Sequence, residues 1–173
     1  MDEIIRDSLH EFRRHKGLAD RAMAQMSDDA FFRRPAPQVN SVAIIVKHLA
    51  GNLLSRWTAF LTTDGEKPSR DRDGEFLVTD DDTRQNLLAA WEQGWDAVFG
   101  ALNGMTAADL AKTVTIRGES HTVVQATLRG MTHAAYHVGQ ILYLVRLLEP
   151  GSEWLTIAPG QSSSHHAGYR KPF

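Results

Sequence analysis

Residues 122–148 read TVVQATLRGMTHAAYHVGQILYLVRLL and predict the last and longest helix of the chain. Thr122 and Gln125 have the spacing of a capping box, which marks the N-terminus of a helix. Apolar side chains then recur every three or four positions as far as Leu148. Pro150 and Gly151 follow, so the helix is expected to end there.

Two stretches before it have the same helical spacing. Residues 4–26 place apolar side chains at intervals of three or four between Arg and Asp, and predict a first helix. A second helix is predicted from Val42 to near Thr62, with Asn40 or Ser41 as its N-cap.

A third helix is predicted over residues 87–102. Thr79 and Asp82 have the spacing of a capping box before it, and Gly104 is placed to end it. The preceding stretch, residues 63–76, is rich in glycine, proline and charge, and this composition predicts an exposed connection.

Residues 113–123, TVTIRGESHTV, alternate apolar and polar side chains on both sides of Arg117, Gly118 and Glu119, the pattern of a short hairpin. The fold class predicted is all-α, a four-helix bundle with a short β-hairpin before the last helix. Residues 1–173 are expected to form a single domain whose tail, from about residue 151 to residue 173, is irregular, with Tyr169 and Phe173 as aromatic anchors.

Composition restricts the classes of function. Hydrophobic residues make up 42% of the chain and charged residues 23%, as in globular proteins, and the net charge of −2 with scattered basic residues disfavours nucleic-acid binding. The absence of cysteine excludes disulfides and thiolate ligands. Residues 1–17 lack the apolar core of a signal peptide, and no segment has the length of a membrane span, so a cytoplasmic location without membrane contact is expected.

Histidine carries the candidate chemistry. His133 and His137 are four positions apart on the last predicted helix, so both side chains project from one face, aligned with the small residues Ala126 and Gly130. Two imidazoles spaced in this way can share one metal ion. An isolated HxxxH pair also arises by chance among surface or core histidines, and by itself the pair favours that interpretation over a metal site.

His48 strengthens the metal interpretation. It borders the apolar face of the second helix, in SVAIIVKHLAGNLLSRW, and is followed four positions later by Asn52. Three inward-facing imidazoles would compete for few hydrogen-bond acceptors, whereas one divalent metal ion would satisfy all three. Three protein ligands are typical of catalytic sites, which keep a coordination position open.

The chain resembles the DinB-like or YfiT-like superfamily of metal-dependent proteins. The resemblance rests on residues 41–57 (SVAIIVKHLAGNLLSRW), residues 115–123 (TIRGESHTV) and residues 131–148 (MTHAAYHVGQILYLVRLL), in that order. It implies a four-helix bundle, often a homodimer, in which one histidine of the second helix and two of the HxxxH helix bind nickel, zinc or a similar ion. The matching positions are His48, His133 and His137.

The reaction stays open at this stage, because some members of that superfamily resemble transferases of a low-molecular-weight thiol such as bacillithiol or mycothiol, and others resemble isomerases. One hypothesis is a metal-dependent enzyme acting on a small-molecule substrate, a thiol transferase or a hydrolase. The alternative is a non-catalytic metal-binding or stress-response protein with a structural or sensing ion.

The remaining polar candidates receive surface roles. Asn52, Arg56 and Gln140 project near the histidine faces, where they are placed to bind substrate or to hydrogen-bond the second nitrogen of a histidine ligand. An interpretation as helix-surface residues is slightly favoured. The other histidines, in the first helix and the hairpin, are expected to be solvated, and the tail pair is not assigned to the site. These histidines are His10, His15, His121, His165 and His166.

Overall fold

Five α-helices, one β-hairpin and three short 3-10 helices make up the regular structure of residues 2–164, the part of the chain that the computed structural model describes. The elements are α1 (Glu3–Met23), α2 (Asp28–Phe32), α3 (Val42–Trp57), α4 (Arg84–Asn103), β1 (Thr113–Ile116), β2 (Glu119–Thr122) and α5 (Val123–Leu148). Four of these helices are long, and the hairpin directly precedes the last one. The predicted fold class is therefore confirmed, while the proposed anchors Tyr169 and Phe173 lie outside the described residues.

Aromatic side chains fill the centre of the bundle. α3 packs chiefly on α4, and α1 packs chiefly on α5. Phe12 of α1 meets Trp57 and Trp95 edge to face, at ring-centroid distances of 5.3 and 6.1 Å, and Trp95 also contacts Trp91 at 5.4 Å. These rings are buried, and edge-to-face pairs of this kind add to the free energy gained by burying apolar area.

The helix boundaries differ from the prediction in three places. α1 ends at Met23, and the short helix α2, which the sequence pattern did not indicate, follows with Ser27 as its N-cap. α3 ends at Trp57, five residues before the predicted end, and Ala59 has a positive φ of 48°. A residue in the left-handed region cannot continue a right-handed helix, so the apolar side chains beyond it belong to a turn.

The N-cap of α4 also differs from the predicted capping box at Thr79 and Asp82. Asp82 does accept hydrogen bonds from the backbone and hydroxyl of Thr79, but it also accepts one from Lys47 Nζ at 2.7 Å. These contacts tie a turn to α3 rather than start a helix. The N-cap is Thr83, whose hydroxyl accepts the N–H of Asn86.

The β-hairpin is tied to the connection after α3. Its two-residue turn has positive φ at Arg117 (55°) and Gly118 (77°), as a two-residue turn with right-handed twist requires. The carboxylate of Asp64 accepts both turn N–H groups, at 2.9 and 2.8 Å. The hairpin is thus held beside α3, where β1 forms one wall of a cavity.

Residues 63–76 are only in part the exposed connection that their composition predicted, since residues 68–69 and 71–73 are exposed. Lys67 donates to the carbonyl of Ser55, Glu75 is buried, and the side chain of Arg70 is 4% exposed. The charges in this segment pair mainly with one another, which lets a polar segment pack against α3 at a small desolvation cost. Among residues 2–164, no helix combines the length and apolar character needed to cross a bilayer.

Candidate metal centre

Three histidines converge between α3 and α5. His48 comes from α3, and His133 and His137 lie one turn apart on α5, with candidate ligand nitrogens that all fall within 4.8 Å of one another. Nε2 of His48 lies 3.2 Å from Nε2 of His133. His48 is 5% exposed and His137 8%, while His133 is half-buried. The structure therefore brings together all three predicted residues.

Oxygen acceptors orient two of the rings. Nδ1 of His48 donates to Glu75 Oε2 at 2.9 Å, and Nδ1 of His137 donates to Gln140 Oε1 at 2.8 Å. With Nδ1 protonated, the neutral ring carries its lone pair on Nε2, the nitrogen left to bind an ion. Histidine ligands of metals usually have such a partner on the second nitrogen. Nδ1 of His133 is buried and has no hydrogen-bond partner among residues 2–164.

Glu75 is itself fixed by a bidentate ion pair. Arg70 donates to both carboxylate oxygens at 2.7 Å, and its side chain is only 4% exposed. Burial raises the pKa of the Glu75 carboxyl, but hydrogen bonds from His48 and Arg70 outweigh burial, so the pKa lies below its ordinary value. Glu75 is therefore an ionised acceptor for His48.

The environment keeps two of the histidines neutral. Burial, with the neighbouring His137 and His48, lowers the pKa of His133 to about 3. Burial is also the main cause that lowers the pKa of His137 to about 4, against a hydrogen bond with Gln140 that raises it. Both rings are uncharged at neutral pH, with one nitrogen free of a proton, and this is the state in which imidazole binds a metal ion.

The donor set fits a divalent transition metal. Tetrahedral geometry with metal–nitrogen bonds of about 2.0–2.1 Å places neighbouring nitrogens about 3.3 Å apart, close to the observed 3.2 Å between His48 and His133. Three imidazole nitrogens suit zinc, nickel, copper or cobalt rather than calcium or magnesium. Within residues 2–164, no Asp or Glu side chain and no fourth histidine joins the three histidines of the cluster.

A cavity of about 660 Å³ opens beside the histidines. The small residues Ala126 and Gly130 line it, as predicted from their alignment with His133 and His137. A Cβ atom on Gly130 would lie 3.1 Å from the Trp57 ring, so glycine keeps this part of the cavity open. The lining also includes Asn52, Arg56, Trp57, Phe60, Arg70, Arg72, Val114, Ile116, Arg117, Leu128, Arg129 and Tyr136.

The surface interpretation was wrong for two of the three residues. Asn52 is buried and lines the cavity, and Arg56 lines it as well. Gln140 is exposed, as that interpretation expected, but its side chain also orients His137. Asn52 and Arg56 follow His48 at intervals of four, which places the three on one face of α3. This spacing is the sequence feature from which the position of Asn52 and Arg56 beside His48 could have been predicted. Glu75 and Arg70 gave none, because they lie in a segment without helical or strand periodicity.

The other histidines stand apart from the cluster. His10 and His121 are half-exposed and outside it. His15 was expected to be solvated, but it is 9% exposed, because its position on α1 faces the bundle. His165 and His166 lie outside the described residues.

Comparison with known proteins places the chain in one family. No curated protein and no solved structure matches it. A family model described as a protein of unknown function, DUF1572, matches residues 2–161, nearly the whole chain. The chain therefore belongs to the DUF1572 family, which is a DinB/YfiT-like family, as the sequence motifs had indicated.

Proposed function

We propose that this protein is an enzyme dependent on one divalent metal ion, held by His48, His133 and His137. One observation carries the proposal: the three histidines share the wall of a cavity large enough for a small molecule, and no fourth ligand-type side chain joins them in residues 2–164. Zinc or nickel is the expected ion. A three-ligand site leaves room for a substrate or water at the metal, as catalytic sites do.

The proposed reaction is the transfer of a low-molecular-weight thiol to an electrophile, or a hydrolysis. A bound ion would supply Lewis acidity that lowers the pKa of a thiol or water molecule reaching it. The chain contains no cysteine, so a thiol nucleophile would come from a small molecule. This absence favours attack by an external nucleophile over covalent catalysis by the protein.

The protein's own residues would position and enclose the reactants. Glu75, anchored by Arg70, holds the His48 ring, and Gln140 holds the His137 ring, so two of the three Nε2 lone pairs are fixed before any ion binds. Asn52 supplies a buried amide beside the histidines. Pre-orientation of this kind lowers the cost of assembling a site.

A structural or sensing metal site is the second candidate. The burial of His48 and His137 between two helices favours it, because an ion there would link α3 to α5. Such a role does not require a cavity at the ion, and the 660 Å³ cavity is the reason for preferring the enzyme.

Elemental analysis of purified untagged protein tests the site. After dialysis against a weak chelator, the wild type should retain about one ion per chain and the His48→Ala/His137→Ala double variant none. His10→Ala, which removes a histidine outside the cluster, is the control and should retain the ion. The absence of metal from the wild type after reconstitution with zinc and nickel would refute the proposal, as would equal metal content in all three proteins.

A further inference from the structure

The charge on the cavity wall is of one sign. Five arginines line the cavity, and no carboxylate of the described residues does. They are Arg56, Arg70, Arg72, Arg117 and Arg129. A concave site with charges of one sign has a potential that attracts ions of the opposite sign.

The nearby carboxylates do not balance these arginines. Glu66 is shared by Arg56 at 3.3 Å, Arg70 at 3.3 Å and Arg117 at 3.2 Å. The carboxylate of Glu75 is already paired with Arg70 and with His48. Arg72 pairs with the exposed Asp73 at 3.4 Å. The five arginines therefore have three carboxylates as ion-pair partners, one of which also binds His48.

Arg56 has an unused donor in the interior. Its side chain is 14% exposed, its Nη2 makes one long hydrogen bond to Glu66, and its Nη1 is buried without a partner among residues 2–164. Burial of a charged donor without an acceptor costs free energy that an incoming anion would recover. Burial is the main cause that lowers the pKa of Arg56; the charge of Glu66 raises it, and the like charges of Arg70, Arg129 and Arg117 lower it.

Arg129 adds a second donor at the cavity. It is exposed on α5, and it makes no hydrogen bond or ion pair with any residue of the described chain. An arginine with no intramolecular partner keeps its planar set of five donors available for a carboxylate or phosphate.

The arginines and the histidines belong to the same cavity. Arg56 follows His48 by eight residues on α3, which places it about 12 Å along the helix axis. The wall also carries apolar groups, including Trp57 stacked on Phe60 at 4.6 Å, Val114 and Ile116. A ligand with an apolar body and an anionic group would match both parts of this wall.

We infer that the cavity binds a small anionic molecule, with its carboxylate or phosphate held by Arg56, Arg117 and Arg129 and its apolar body beside Trp57 and Phe60. That this molecule is the substrate rests on the proposed function, whereas its binding by the arginines does not.

Isothermal titration of metal-free protein at low salt tests the binding. The probes are phenyl phosphate, phenylacetate and the neutral analogue phenylacetamide. We expect one or both anions to bind at one per chain, at least tenfold more tightly than the amide, and the tighter anion identifies the group preferred. Equal affinity for the amide, or no binding of either anion, would overturn the inference.

Arginine variants locate the site. Arg56→Gln should weaken anion binding at least tenfold, the change expected on losing a charge-assisted hydrogen bond. Arg129→Gln, at an exposed position where folding is not at risk, should weaken it severalfold. Arg21→Gln makes the same charge change on an exposed part of α1 outside the cavity and should bind as the wild type does. Wild-type affinity in both cavity variants, or equal weakening in Arg21→Gln, contradicts the assignment.

Metal content separates this inference from the proposed function. If elemental analysis finds no ion but the metal-free protein binds the anion through Arg56, the proposed enzyme is wrong and the anion site stands. If the anion binds only after metal loading and Arg56→Gln has no effect, the anion is bound by the ion, and the inference is wrong.

Discussion

Glu75 is the residue through which the loop after α3 acts on the candidate metal centre. In Glu75→Gln, His48 would lose an ionised acceptor and Arg70 its bidentate partner. We expect the affinity for zinc to fall by about 10- to 100-fold, with about one ion per chain still bound at saturating metal. Competition with a chromophoric chelator measures the affinity. Glu92→Gln, which removes an exposed carboxylate paired with Lys16, is the control, and an unchanged affinity in Glu75→Gln would mean that the carboxylate does not support His48.

Single residues differ in how far their role can be predicted from sequence. His48, His133 and His137 were identified because regular helices fix which side chains share a face. Arg70 and Glu75 were not, because the path of a loop depends on tertiary contacts that have no period in the sequence. Their burial results from pairing with each other and with Glu66, which composition alone does not reveal.

At the scale of elements, Gly94 allows α3 and α4 to approach closely. A Cβ at this position would lie 3.0 Å from the carbonyl oxygen of Ala50 and 3.2 Å from its Cα, and backbone atoms cannot move aside as a flexible side chain can. We expect Gly94→Ala to lower the free energy of unfolding by about 1–3 kcal/mol, although alanine favours helix.

Gly100→Ala, on the same helix, is the matched control for Gly94→Ala. Its Cβ would meet no described atom within 4 Å, so we expect the variant to be as stable as the wild type or about 0.5–1 kcal/mol more stable. Urea midpoints measure both variants. Equal midpoints for the two would show that the contact between α3 and α4 does not depend on glycine.

Elements were predicted more accurately than their ends. The four long helices and the hairpin follow from apolar periodicity, and the capping box of Thr122 and Gln125 is present. The short helix α2 was missed because five residues are too few to display a period. The N-cap of α4 was placed too early, because the Thr79–Asp82 pair has the spacing of a capping box but closes a turn bound to Lys47.

At the scale of the whole molecule, the homodimer expected from the sequence stays a prediction. Four apolar side chains, each half exposed or more, lie within about 100° of one another on α5: Leu128, Tyr136, Tyr143 and Leu147. If this face forms the dimer, Tyr143→Glu should convert the dimer to monomer in sedimentation velocity. Leu77→Glu alters a comparably exposed side chain elsewhere and should leave the dimer intact. A monomeric wild type would contradict the prediction.

The stability of the metal-free protein should depend on pH through the buried histidines. The pKa values of His133 and His137, about 3 and about 4 when folded, lie below the value of about 6.5 for an unfolded chain. Between pH 6.5 and pH 4 the unfolded state therefore binds more protons, so the free energy of unfolding falls as the pH falls. Carboxylates with lowered pKa values, such as Glu75, contribute mainly below about pH 4.5, and so not between pH 7 and pH 5.

We expect the metal-free protein to be about 2–3 kcal/mol less stable at pH 5 than at pH 7, a value reduced from the full linkage because water reaches the half-buried His133. Urea unfolding at pH 7, 6 and 5 measures the change. In a His133→Gln/His137→Gln variant, the free energy of unfolding should fall less between pH 7 and pH 5. Some decrease should remain, because burial also lowers the pKa of His15 on α1. The same decrease in both proteins would mean that these two histidines are not held neutral by the fold, and the ion would then have to displace protons from them in order to bind at pH 6.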